Sequence, residues 1–119
     1  MNGIAMGRES AMTISVVALE FCKYLICQNF SEAVKLLSSS LRGAISENSL
    51  GKRFKRLADG AEFDHCEIVT QMEDWPDRIL SDIAWLYVSL EGDYIEGIAL
   101  TVGIESGQFV ITSIEWGRP

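Results

Sequence analysis

Residues 79–116 read ILSDIAWLYVSLEGDYIEGIALTVGIESGQFVITSIEW, and the fold is decided here. β-branched and aromatic residues dominate the stretch, which suits a pleated, half-buried surface. Gly92 with Asp93, and Ser106 with Gly107, punctuate it at hairpin spacing. Three antiparallel strands are therefore expected, over 79–90, 94–104 and 108–116, joined as a meander. With two-residue turns at both breaks, the register places Ile83, Trp85, Tyr87, Ile98, Leu100, Val102, Ile104, Phe109 and Ile111 on one face. The opposite face then carries Ala84, Leu86, Val88, Leu90, Ile95, Ala99, Val110, Ile114 and Trp116. Both faces are apolar, whereas an isolated antiparallel sheet normally keeps one side wet. The surplus predicts a homodimer through the second face, or curvature that encloses a pocket. Gly97 and Gly103 fall on that second face, where a missing side chain permits a bend or a close approach.

Working back toward the N-terminus, 63–72 alternates as a first strand, expected elsewhere in the same sheet. The segment 73–77 breaks the pattern, since Trp75 precedes Pro76 and the residue before proline is pushed out of the helical region. Before Gly60 the period is helical. Ile14, Val17, Ala18, Phe21 and Leu25 recur on one face over 13–28, and Val16, Leu19, Cys22 and Ile26 widen the stripe, as in a central helix buried on two sides. Ser31 is expected to cap a second, shorter helix through Val34, Leu36 and Leu37, ended by the serines at 38–40. Ser46 caps a third, with Ile45 and Leu50 as a hydrophobic staple, Leu50, Phe54 and Leu57 inward, and Gly60 closing its end. The expected class is α+β, with N-terminal helices packed on a curved, mostly antiparallel sheet: a loose leader over 1–12 and one domain over 13–119.

The chain has 119 residues, enough for one core and too few for two. Its net charge of −7 is unevenly placed: residues 1–58 carry +4 and residues 59–119 carry −11. Such a division steers a charged partner toward one surface, and a solvated acidic face that aids solubility is the plainer alternative. Cys22, Cys27 and Cys66 are odd in number and include no C-x-x-C pair, so buried free thiols are expected instead of a disulfide framework or a zinc site. No secretory pattern opens the chain and no run reaches membrane-spanning length, so a cytoplasmic protein without a membrane partner is expected.

Three helices followed by a curved meander that ends in a long hairpin with a terminal aromatic resemble the nuclear transport factor 2-like superfamily. The resemblance is architectural and covers about residues 13–116. It implies a cone with helices folded over a sheet, a pocket between them, and frequent dimerisation through the outer sheet face. Members of that superfamily include isomerases, hydrolases, cyclases, small-ligand binders, transport factors and toxin-neutralising immunity proteins, so the resemblance implies no single activity.

His65 is the only histidine. Strand alternation points it away from Asp64 and Cys66, leaving Cys22 or Cys27 as the cysteines that could reach it across a core. Carboxylate chemistry of the isomerase or hydrolase kind needs an acid inside the cone with a nearby donor. Asp64, Glu67 and Asp82 are the acid candidates, and Tyr24, Trp85, Tyr87 and His65 are the other candidate pocket residues. No phosphate loop, nucleophile elbow, catalytic set or metal-ligating cluster is legible, and no cofactor is expected. Lys52, Arg53, Lys55 and Arg56 form the only basic cluster, but they lack neighbouring stacking aromatics and the acidic remainder repels phosphate, so nucleic acid is not an expected partner. Trp75, flanked by Asp74 and Asp77, has the makings of a protein-binding hot spot. The favoured expectation is a non-enzymatic domain that binds a basic protein through an acidic surface including Asp74, Trp75, Asp77, Glu91 and Asp93, with an immunity protein to a basic toxin as the concrete case. The alternative is a pocket that binds or transforms a small apolar molecule.

Overall fold

The structure, a computed structural model, describes residues 13–76 and 78–117. The leader expected over 1–12, and Asp77, lie outside these residues. Helices α1 (Ile14–Ile26), α2 (Phe30–Ala33), α3 (Ser39–Ala44) and α4 (Glu47–Ala58), with a 3-10 turn at Val34–Leu36, precede strands β1 (Phe63–Met72), β2 (Asp82–Gly92), β3 (Ile95–Glu105) and β4 (Gln108–Trp116). The strands form one antiparallel sheet in the order β1-β2-β3-β4. The α+β class and the helices-first order match the expectation; β1 simply extends the meander beside β2.

Local chemistry sets the helix ends. The Thr13 hydroxyl accepts the Val16 N–H at 3.2 Å and opens α1. Ser46 and Ser49 cap α4 reciprocally, each hydroxyl accepting the other residue's N–H. The left-handed position expected at Gly60 begins one residue earlier, at Asp59 (φ 49°). Asn29, not Ser31, precedes α2, and Ser31 donates to its side chain. The serines expected to end a helix instead start one: the Ser38 hydroxyl accepts the Leu41 N–H and opens α3.

The register departs from the expected one in two places, and both have a physical cause. Glu91 pairs with Ile95, so Gly92, Asp93 and Tyr94 form a three-residue turn. Tertiary bonds select it. The Asp93 carboxylate accepts the Glu62 N–H, the Asp93 N–H donates to the Glu62 carbonyl, and the Tyr94 hydroxyl donates to the Ala58 carbonyl at 2.6 Å. One added residue turns every β2 side chain to the other side relative to β3. The Ser106–Gly107 turn does have two residues, both with positive φ. Beyond it a bulge at Thr112 shifts Ile114 and Trp116 onto the face of Leu100 and Ile98.

The result is one apolar face. Ala84, Leu86, Val88 and Leu90 of β2 join Ile98, Leu100 and Val102 of β3 and Ile111 of β4 as fully buried residues. Against them α1 places Val17, Ala18, Phe21, Cys22 and Leu25, and α4 adds Leu50 and Phe54. Each fully buried Leu or Phe contributes about 1.5–3 kcal/mol. The core residues of α1 and α4 pack directly on this face of the sheet, and a cavity of about 380 Å³ remains between Arg53, Arg56 and Leu57 of α4 and Trp116 of β4. Among the described residues no helix is long and apolar enough to cross a membrane.

Candidate functional site: the outer face of the sheet

Cross-strand partners share a face, so the side turned from the core is read directly from the register. It carries Ile83, Trp85, Tyr87, Ser89 and Glu91 on β2, with Met72, Thr70, Glu67 and His65 opposite them on β1. On β3 the same side carries Gly97, Ala99, Thr101 and Gly103, all buried and all small. The Tyr87 ring leans across this floor: a β-carbon on Gly97 would collide with its phenol end. Trp85 stacks beside Tyr87, with centroids 6.4 Å apart and planes 11° apart. Both rings are half-buried and stand outside the helix–sheet core. The apolar surplus read from the sequence is thus a register effect plus two aromatics that cover a row of small residues.

At the turn end of β2 the stripe becomes acidic. His65 and Glu91 are direct cross-strand partners. Contrary to strand alternation, Asp64 also reaches His65, because a β1 irregularity between Phe63 and His65 breaks the alternation there. Nδ1 of His65 lies 2.7 Å from Asp64 Oδ1, and Nε2 lies 3.0 Å from Glu91 Oε1. Carboxylates only accept, so both contacts are hydrogen bonds when the ring carries a proton on each nitrogen, and the pair favours that imidazolium form. The hydrogen bond to Asp64, helped by the charge of Glu91, raises the His65 pKa above its usual value. Ser89 Oγ donates to the other Glu91 oxygen at 2.9 Å.

The sequence showed no metal-ligating cluster, yet the fold brings one group together. Ligand atoms of His65, Glu67 and Glu91 lie within 4.8 Å of one another. These three residues could hold a divalent ion once Nε2 gives up its proton.

The other candidate residues separate. Tyr24 is on α1, packed on the helical side. Asp82 is buried at the opposite end of β2, where Thr112 donates to its Oδ1 at 3.0 Å. The expected pocket set of Tyr24, Asp64, His65, Asp82, Trp85 and Tyr87 therefore lines no common cavity. Of the partner-surface set, Glu91 lies on the outer face, while Asp93 is engaged in fastening the turn to Glu62. Asp74 and Trp75 lie two and three residues beyond Met72, the end of β1, which pairs with Trp85. Asp74 is exposed; Trp75 is half-buried, with the Arg78 guanidinium 5.9 Å from its ring centroid. The cysteines divide as well. Cys22 is buried, Cys66 is half-buried facing the helices, and Cys27 is exposed instead of buried. Burial raises the thiol pKa of Cys22 and Cys66, and no Cys–His couple forms because His65 is on the outer face.

The four strands contain seven acids and no lysine or arginine. Lys52, Arg53, Lys55 and Arg56 sit exposed on α4, in the helical layer. Glu67, an acid candidate from the sequence, is joined on this surface by Ser89, Met72 and Glu115, which no sequence motif announces and only strand pairing reveals.

No family model, no curated protein and no solved structure matches this chain. Its class is the one that fold and face define: a small α+β domain with helices on one side of a four-stranded antiparallel sheet, compatible with the cone architecture of the nuclear transport factor 2-like superfamily.

Proposed function

We propose that this chain is a non-enzymatic binding domain of the cone-shaped architecture, and that the outer sheet face binds a basic protein. One observation carries the reading: along β2 a stacked Trp85–Tyr87 pair is flanked by the Asp64, Glu67 and Glu91 carboxylates at one end and Asp82 at the other, on strands that hold no lysine or arginine. Aromatic faces and carboxylates are the two groups that receive arginine and lysine, the first through the ring quadrupole and the second through charge. Aromatic anchors with an acidic rim also match the anatomy of protein interfaces. Self-association through this face would set Glu67, Glu91 and Glu115 of one copy against the same acids of another, so a basic occupant fits better than a second copy.

Neutralising a basic toxin is the concrete form this partnership takes. Co-expression with a toxin-like gene encoded beside this one tests it: growth is rescued by the native chain and lost with Glu67→Lys/Glu91→Lys. Rescue by the charge-reversed chain, or no rescue by either, overturns the toxin reading. Sedimentation of the isolated chain separates a homodimer from a monomer awaiting its partner.

A further inference from the structure

At the far end of the outer face, a cavity of about 420 Å³ opens between the start of β2, the β3–β4 hairpin and the segment at Ser38 and Ser40. We infer that it is a binding pocket for a compact organic cation, an alkylammonium or alkylguanidinium group on a short aliphatic stem. The inference shares Asp82 with the face proposed above but rests on the cavity itself, and its test needs no protein partner.

Asp82 is the reason. It lines the cavity with only 8% of its surface exposed. Thr112 donates to Oδ1, and among the described residues no cation lies within ion-pair distance of the carboxylate. The guanidinium nearest in sequence is directed elsewhere: Arg78 Nε donates to the Asp82 backbone carbonyl at 3.0 Å, and its head lies by the Trp75 ring. The carboxylate is thus held by one hydroxyl and no countercharge, and a ligand cation entering the cavity would add a charge-assisted bond.

The rest of the lining selects for the same chemistry. Glu105 adds a second carboxylate, held below its usual pKa chiefly by the Ser39 hydroxyl and N–H, at 2.7 and 3.0 Å. Serine and threonine hydroxyls give further acceptors for N–H donors. Ile79, Ile104 and Val110 supply an apolar wall for a short stem, and among the described residues no basic one lines the cavity, the Arg42 charge reaching Glu105 from outside the lining. An anion would meet two carboxylates and, among the described lining residues, no cation. A neutral apolar molecule would cover Asp82 and leave its charge unpaired. Gly103 makes the geometry available, since a β-carbon there would strike the Ser81 carbonyl and the Thr112 methyl and part the strand ends that close the cavity floor.

The test is a titration of the full chain followed by NMR at the Ser81, Thr112 and Ser113 amides, with n-butylammonium, n-butylguanidinium and neutral n-pentanol. The cations are expected to shift these amides saturably, and n-pentanol is not. Asp82→Asn is expected to weaken the cations by about tenfold or more, as for loss of a charge-assisted bond. Because that change also alters the Thr112 bond, Ile104→Trp provides a second route. Ile104 is 55% exposed, so a larger ring there blocks the cavity while leaving both carboxylates in place. Nα-acetyl-lysine methylamide distinguishes the sources of the group: binding at least equal to butylammonium assigns the pocket to a protein side chain, and weaker binding to a free amine. Shifts as large with n-pentanol, cation binding unchanged in both variants, or no shift at these amides overturns the inference.

Discussion

Tyr87 lies over Gly97, its phenol end in the space that any β-carbon at that position would need. The two residues are not direct cross-strand partners; Tyr87 pairs with Ala99, and the ring reaches diagonally. This lean turns the outer side of β3 into a covered floor and holds Trp85 and Tyr87 parallel. The proposed binding surface depends on it.

Gly97→Ala should therefore lift Tyr87 off the sheet. The ring can move, so the expected loss is about 1–3 kcal/mol of stability, the usual range for inserting a methyl group into a packed site. Denaturant unfolding measures the loss, and a reduced near-ultraviolet dichroism signal reports the broken stack. Gly92→Ala should be worse, because its added carbon meets backbone of Glu62 and Phe63, which cannot swing aside. Equal stability of Gly97→Ala and the native chain would contradict the packing described.

Neighbouring positions on β2 should behave oppositely. Leu86 is fully buried in the core, so Leu86→Ala should cost about 2–5 kcal/mol. Trp85→Ala removes a half-buried ring from the outer face and should cost clearly less, despite the larger side chain. Urea midpoints of the two variants check the register directly. A reversed order would restore the two-residue turn that the sequence first suggests.

His65 should titrate above the ordinary histidine value near 6.5. Its folded pKa is raised, so the bonds to Asp64 and Glu91 stabilise the fold fully below the unfolded value and fade as pH rises through the folded one. Proton NMR of the imidazole gives the midpoint, and Asp64→Asn should lower it. A midpoint at or below 6.5 in the native chain would contradict the two-carboxylate clamp.

Thiol reactivity should separate the cysteines. Cys27 is exposed and should react with a disulfide reagent promptly, whereas Cys22, fully buried with a raised pKa, should wait for unfolding. Mass analysis of a timed reaction identifies the sites. Simultaneous modification of both would show that α1 does not pack as described.

Much of this fold is legible in the sequence because it rests on local signals. The Ser46 cap, the existence of a strand over Phe63–Met72 and the Ser106–Gly107 turn each carry their structure within a few residues. The β2–β3 register is not legible, since a three-residue turn is chosen there by bonds from Asp93 to Glu62 and from Tyr94 to Ala58, which lie far away in sequence. Nor is the bulge at Thr112, whose hydroxyl bonds Asp82 thirty residues upstream. The candidate surface follows the same division. Trp85, Tyr87, His65 and Glu91 stand out as residue types, but their grouping on one face, and the addition of Asp64 through a strand irregularity, appears only once the strands are paired.

The central claim is that the outer sheet face receives a basic protein, and hydrogen exchange of the complex isolated from native cells tests it most directly. The account predicts protection at Trp85, Tyr87 and Glu91 and their β1 partners, no change on α4, a partner with a basic isoelectric point, and release by raised salt or by Glu67→Lys/Glu91→Lys. Protection centred on α4, or a partner held equally well by the charge-reversed chain, would contradict it.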